Sequence, residues 1–503
     1  MSSRSTLVLQ SLVTLFLVAL FYAISLATIG GCLYIAALGF EAIHRGIAGG
    51  GVAYMIAGGL VGAILVLLSI LPRRDRFDPP GPRIDLSNHP GLQQFILAIA
   101  SDLHQRLPDD TYLTADVNAG VLDRGGFLGI GRRRVLFLGV PLMGVLTASQ
   151  FRFVLAHEFG HFHHGDTLLG GWIHAARSSI VRAVEALAGF SALLHLPFYL
   201  YAVVFLRLTR NICRHRELMA DGLAAEMAGS NISSEALMSS LAAGVAIDSY
   251  VGGVMPILKA GYRPPFLVGF RAFCKSPEVA EQIARAVRRV LARGAGPYDT
   301  HPAVSERLEF LRKLPAKEPP PSDPPAITLL EGLEAIEHSV VETLFVIKRQ
   351  RTFKPIAWEE IISKIYLPSW IEDHARFGPR LNGLTPRQLP DCAAGITDFG
   401  ATLFERRGVK EPRFTTEEAR DRAYRAVGSA LTFALLKRGW TFEPFKPGEP
   451  VAMRNQGITV LPFDALTDLV RLDQKRVSAA EWRARCEELG IADLDLSEPY
   501  AAA

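Results

Sequence analysis

His157-Glu158-Phe159-Gly160-His161 forms an H-E-x-x-H pentapeptide in a chain of 503 residues. On a helix the side chains at i and i+4 share one face, so the two imidazoles can hold a zinc ion from one side. Glu158 lies beside them, where a carboxylate can take a proton from a metal-activated water. The flanking residues predict that helix. Thr147 and Gln150 fit a capping box, and Phe151, Val154, Leu155 and Phe162 supply an apolar face.

A zinc ion that activates water takes three protein ligands and keeps one position open. The metzincin continuation requires Gly and His where this chain has His164 and Thr167, which excludes that class. The gluzincin solution is a Glu from a later helix. Residues 213–228 (CRHRELMADGLAAEMA) have helical character and offer Glu217, with Asp221 four residues on and on the same face. In this reading Glu217 is the third ligand of one Zn2+ per chain, and Asp221 orients a ligating imidazole. With the ligand count filled, His163 and His164 read as exposed or supporting side chains.

Further motifs extend the pattern in both directions. Asn118-Ala119 precedes a Gly-rich segment and a strand at 135–138; Gly165-Asp166 follows the pentapeptide; Arg216-Glu217 with Ala220-Asp221, then Thr300-His301-Pro302 with Arg307, complete the series. In this order they resemble the HtpX-like membrane zinc endopeptidases, relatives of the type I CAAX prenyl proteases and of the mitochondrial Oma-type proteases. The resemblance covers about residues 90–312. It implies zinc ligation by His157, His161 and Glu217, with Glu158 as general base. It also implies that His301 reaches the site and helps stabilise the oxyanion, and that Asn118 lies beside the substrate. The strand of Val135, Leu136, Phe137 and Leu138 is either a core strand or the edge that pairs with an extended substrate. The edge reading is favoured, because extended peptides commonly bind by strand addition. Residues 132–134, three arginines, read as a solvated turn able to touch anionic lipid.

The elements that must position these residues begin with a membrane anchor. Residues 5–40 and 46–72 contain no Asp, Glu, Lys or Arg, and about 20 apolar residues span a bilayer. We expect a first span near 6–28, with the remainder to residue 40 extending it or lying at the interface and Gly30-Gly31 offering a place to break or bend, and a second span within 46–72. A second apolar run following at once disfavours a cleaved signal peptide. Arg4 before the pair and Arg73, Arg74 and Arg76 after it place both ends in the cytoplasm by the positive-inside rule, giving a multi-pass inner-membrane protein with a cytoplasmic catalytic domain. A third uncharged stretch, 186–206, is ambiguous. Because His157, His161 and Glu217 must meet, the chain between 166 and 212 has to return to the side it left. Arg177, Arg182 and Glu185 make the first half of 167–206 a poor span, so a helix pair that is buried or dips into the membrane is preferred.

These readings give a mainly α fold with a small β-sheet. An N-terminal transmembrane helical hairpin (1–76) precedes a gluzincin-type zinc metallopeptidase core (77–314). A Pro-rich linker (315–325) then leads to an α-rich, partly α+β C-terminal domain (326–503), with capping boxes at Thr415/Glu418 and Ser478/Glu481 and a hairpin near 451–462. A net charge of +4 at this length gives no electrostatic footprint for nucleic acid. Five scattered cysteines with no C-x-x-C pair point to a reduced compartment. The expected activity is zinc-dependent endoproteolysis of protein or peptide substrates, chiefly membrane proteins under quality control, at the lipid bilayer. Prenyl-protein proteolysis and a non-catalytic adaptor acting through its C-terminal domain are the alternatives.

Overall fold

The computed structural model describes residues 4–47, 49–71, 77–124, 133–162, 167–294, 296, 301–344, 353–404, 415–470 and 477–500. The expectations placed on Arg73, Arg74, Arg76, Arg132, His163, His164, Gly165, Asp166 and Thr300 lie outside them. The chain divides into two compact units, one of residues 1–245 and 285–346, the other of residues 246–284 and 347–503.

In the first unit the uncharged N-terminal run forms α1 (Arg4–His44) and α2 (Gly50–Ile70), packed as a hairpin. Backbone polar groups in an apolar medium must bond within their own segment, which is what a continuous helix achieves. Of the two readings of the residues beyond 28, the structure shows the extension: α1 runs through Gly30 and Gly31 without a break. Next come β1 (Arg83–Ile84), α3 (Pro90–Asp102), β2 (Asp110–Thr114), β3 (Ala119–Arg124), β4 (Arg133–Gly139), α4 (Val140–Val145) and α5 (Ala148–Gly160). The unit continues with α6 (Thr167–Ala188) and α7 (Ala192–Ala228).

α6 and α7 are the helix pair expected at 167–206. They pack on the anchor through a core that includes Leu17, Phe21, Val66, Ile180, Leu187, Phe198 and Phe205. At the end of α2, the Arg182 guanidinium donates to the Ser69 carbonyl at 2.9 Å, satisfying a helix-terminal acceptor. α7 does not stop where its apolar part stops; one helix carries both the apolar 192–206 segment and Glu217. Among the described residues, four helices are long and apolar enough to cross a membrane: α1, α2, α7 and α8 (Ser230–Lys259). α8 was not expected as one, because Glu235 and Asp248 hide its apolar window from a search for uncharged runs.

The sheet has the order β1-β2-β4-β3, with β2 and β4 parallel and the other pairs antiparallel. This corrects the edge reading of Val135, Leu136, Phe137 and Leu138. These residues form the centre of β4, bonded to β2 on one side and β3 on the other. Val135, Leu136 and Leu138 are buried, as the near-continuous apolar sequence of an interior strand requires. The edge is β3, which starts directly after Asn118. Gly139 closes β4 where any Cβ would meet the Asn118 carbonyl oxygen at 2.4 Å, and its N–H donates to that same carbonyl. Nor is residue 134 a solvated one: Arg134 is buried, bonds Asp123 at 2.8 Å and stacks on Phe162.

The proline-rich residues after 314 lie along this unit. Lys317 bonds Asn231, Asp323 accepts from the Ser149 N–H at 2.9 Å, Pro325 bridges Thr147, and the Glu331 N–H donates to His89. The boundary between units therefore falls near residue 346 rather than at 325.

The second unit takes in residues 246–284 because Tyr250, Phe266, Phe270 and Phe273 cluster with Trp358, and a strand at Tyr262–Arg263 pairs with Lys354–Pro355. Its centre is the helix Thr416–Lys437, started by the Thr415/Glu418 capping box and ended ahead of Gly439. The expected hairpin forms from Met453–Asn455 and Ile458–Val460 around Gln456-Gly457.

Candidate metal centre

α5 is held at its start by the reciprocal Thr147–Gln150 capping box and by Asp323 on the Ser149 N–H. It lies against α7 at close range: a Cβ on Gly160 would stand 3.3 Å from the Ala220 Cα. That approach brings Glu217, the third candidate ligand, to the two histidines. His157 Nε2 lies 3.5 Å from Glu217 Oε2, and His161 Nε2 lies 3.7 Å from Glu217 Oε1. The imidazoles stand edge to face with centroids 4.8 Å apart. Ligands about 2.0–2.1 Å from a tetrahedral zinc are about 3.4 Å from each other, so this donor set has the spacing and the N/O chemistry that zinc takes. Ligand atoms of His157, Glu158 and His161 also lie within 4.8 Å of one another. Glu158 differs in its surroundings: the Val121 N–H on β3 acts on its carboxylate against the rise that burial causes.

Behind the donors, Asp221 Oδ1 lies 2.9 Å from His157 Nδ1. The ring N–H is not well aligned on it, but the short distance and the fully buried carboxylate make this the contact that fixes the ring and leaves Nε2 for a metal. Asp221 is held in turn by Arg307 of a helix at Val304–Leu311, through Nε at 2.8 Å and a second guanidinium nitrogen at 2.6 Å. Sequence reasoning gave Arg307 no task. Its only signal was its place six residues after His301.

The electrostatics follow from these contacts. Burial alone would lower the His157 pKa, but Asp221 and Glu217 outweigh it and hold it at about 9. His161 is pushed down to about 4 by burial and by the charge of His157. Glu217 is held far below the ordinary carboxylate range: burial opposes this, and bonds from His157 and His301 overcome it. Burial raises Glu158. Asp221 stays low because Arg307 and His157 offset its burial.

His301 reaches the site, with Nδ1 3.0 Å from Glu217 Oε1 and a side chain that is 71% exposed. Asn118 is exposed at the head of β3. The structure thus brings His157, Glu158, His161, Glu217, Asp221 and His301 together, and it places the 135–138 strand in the sheet interior. Residues 89–315 match the sequence model of Peptidase family M48. This segment belongs to that family. The M48 segment contains every residue of the candidate metal centre just described, and the match supports a peptidase, with apolar helices that fit a membrane protein. No curated protein and no solved structure matches the chain.

Proposed function

We propose that the M48 segment is a gluzincin-type zinc metalloendopeptidase that hydrolyses peptide bonds of membrane proteins at the cytoplasmic face of the inner membrane. The observation that carries the reading is Glu217, whose two carboxylate oxygens face the two H-E-x-x-H imidazoles. His157, His161 and Glu217 would hold one zinc ion, which supplies Lewis-acid polarisation of the scissile carbonyl and acidification of a water. Glu158, raised by burial, takes the proton of the attacking water and returns it to the leaving amine. His301 has Nδ1 engaged by Glu217, which leaves Nε2 to donate to the developing oxyanion. An extended substrate adds to the sheet along β3, the edge that carries Val121 beside Glu158, with Asn118 at its head. Glu158→Gln tests this reading. It should retain one zinc per chain and lose cleavage of a casein-like or membrane-protein substrate; turnover at the wild-type rate would refute the role of Glu158.

A further inference from the structure

Along α7 the exposed apolar residues Leu193, Leu196, Leu200 and Val204 recur at helical spacing, and the next position on that stripe is the exposed Arg207. Leu12, Phe16 and Leu20 on α1, which packs against α7, continue the apolar surface. Arg210 and Arg214 follow at three and seven residues beyond Arg207, so all three project to neighbouring parts of one face. Arg214 is tied to Glu306, but the Arg210 Nε is buried with no hydrogen-bond partner among the described residues. α6 adds Arg177, whose charge acts on Cys213 of α7. Residues 186–216 contain no Asp or Glu.

We propose that Arg207 and Arg210, with Arg177, seat the phosphodiester headgroups of anionic phospholipids where the apolar stripe of α7 leaves the bilayer. Acyl chains cover the stripe, and the guanidinium forks match phosphate oxygens at the level where that stripe turns cationic. The occupant is set by continuity: a soluble anion has no use for the apolar surface leading up to Arg207. The proposal is independent of the peptidase reading, because its test counts bound lipid and not cleavage.

The full chain in detergent is titrated with phosphatidylglycerol or phosphatidylcholine, and retained lipid is measured by native mass spectrometry. Phosphatidylglycerol should bind in preference to phosphatidylcholine. Each arginine near an anionic surface is worth about fivefold, so Arg177→Gln/Arg207→Gln/Arg210→Gln should weaken phosphatidylglycerol binding about a hundredfold and leave phosphatidylcholine unchanged. The single variant Arg207→Gln, at an exposed position, should weaken it about fivefold and decides the matter if the triple variant misfolds. Equal retention of the two lipids by the wild-type chain would overturn the proposal. So would unchanged phosphatidylglycerol binding in Arg207→Gln, or its displacement by millimolar inorganic phosphate, which would mark a site for a soluble anion.

Discussion

Arg307→Gln perturbs the metal centre while leaving every proposed ligand in place. Asp221 is 0% exposed and receives two charge-assisted hydrogen bonds from Arg307, at 2.8 and 2.6 Å. Removing one partner of a buried pair strands the other, at a cost of about 3–5 kcal/mol. Without the guanidinium, Asp221 loses the chief counterweight to its burial and shifts towards its neutral form. A neutral Asp221 holds the His157 ring less firmly, and loss of such a supporting partner lowers metal affinity about 10–100-fold. We therefore expect two linked effects: a lower unfolding midpoint for the metal-free chain and a 10–100-fold weaker zinc affinity by chelator competition. Asp221→Asn combined with Arg307→Gln should lose less stability than the two single losses added, since no lone buried charge is left. Zinc affinity within threefold of wild type, despite the lost stability, would refute the chain of support from Arg307 through Asp221 to His157.

Further outcomes follow from the same geometry. His157 has a metal-free pKa of about 9, above its ordinary value, so below pH 9 zinc must displace a proton, and apparent zinc affinity should rise about tenfold from pH 6.5 to 7.5; a pH-independent affinity over that interval sinks the argument. The same proton stabilises the metal-free fold most fully below pH 6.5, and that contribution is lost as pH rises through 9. His301→Gln should keep zinc and lower kcat about 10²–10³-fold with little change in KM; a fall in zinc affinity would instead assign His301 to holding Glu217. Gly160→Val, which forces α5 away from Ala220, should weaken zinc binding more than tenfold while Glu158→Gln does not, as metal content per chain would show.

The H-E-x-x-H face, the Thr147 cap and the partnership of Glu217 with Asp221 were legible because each depends on spacing within a single helix. What failed depended on pairings distant in sequence. The 135–138 strand allows both an edge and a core reading, and the favoured edge fails once β2, some 25 residues earlier, is seen to take its other side. Arg307 meets Asp221 across 86 residues, and no local pattern announces that contact. Prolines signal a linker by composition, whereas residue 317 bonds the Asn231 side chain on α8 and residues 323 and 325 bond the start of α5, contacts that no local pattern announces. Residues 246–284 left the expected core for a similar reason: their strand pairs with one about 90 residues later.

On the proposed reading, the continuity of α7 would make the active site a measuring device. Ten residues of helix, about 15 Å along its axis, separate Arg207, where the apolar stripe ends, from Glu217, so the proposed catalytic centre would stand up to about 15 Å above that level. An extended polypeptide covers that distance in four or five residues. A membrane protein cut here would therefore keep a stub of about that length outside its last apolar residue, and a tail shorter than this would fall beyond reach, whatever its sequence. Selection of substrates would then begin with how far they protrude.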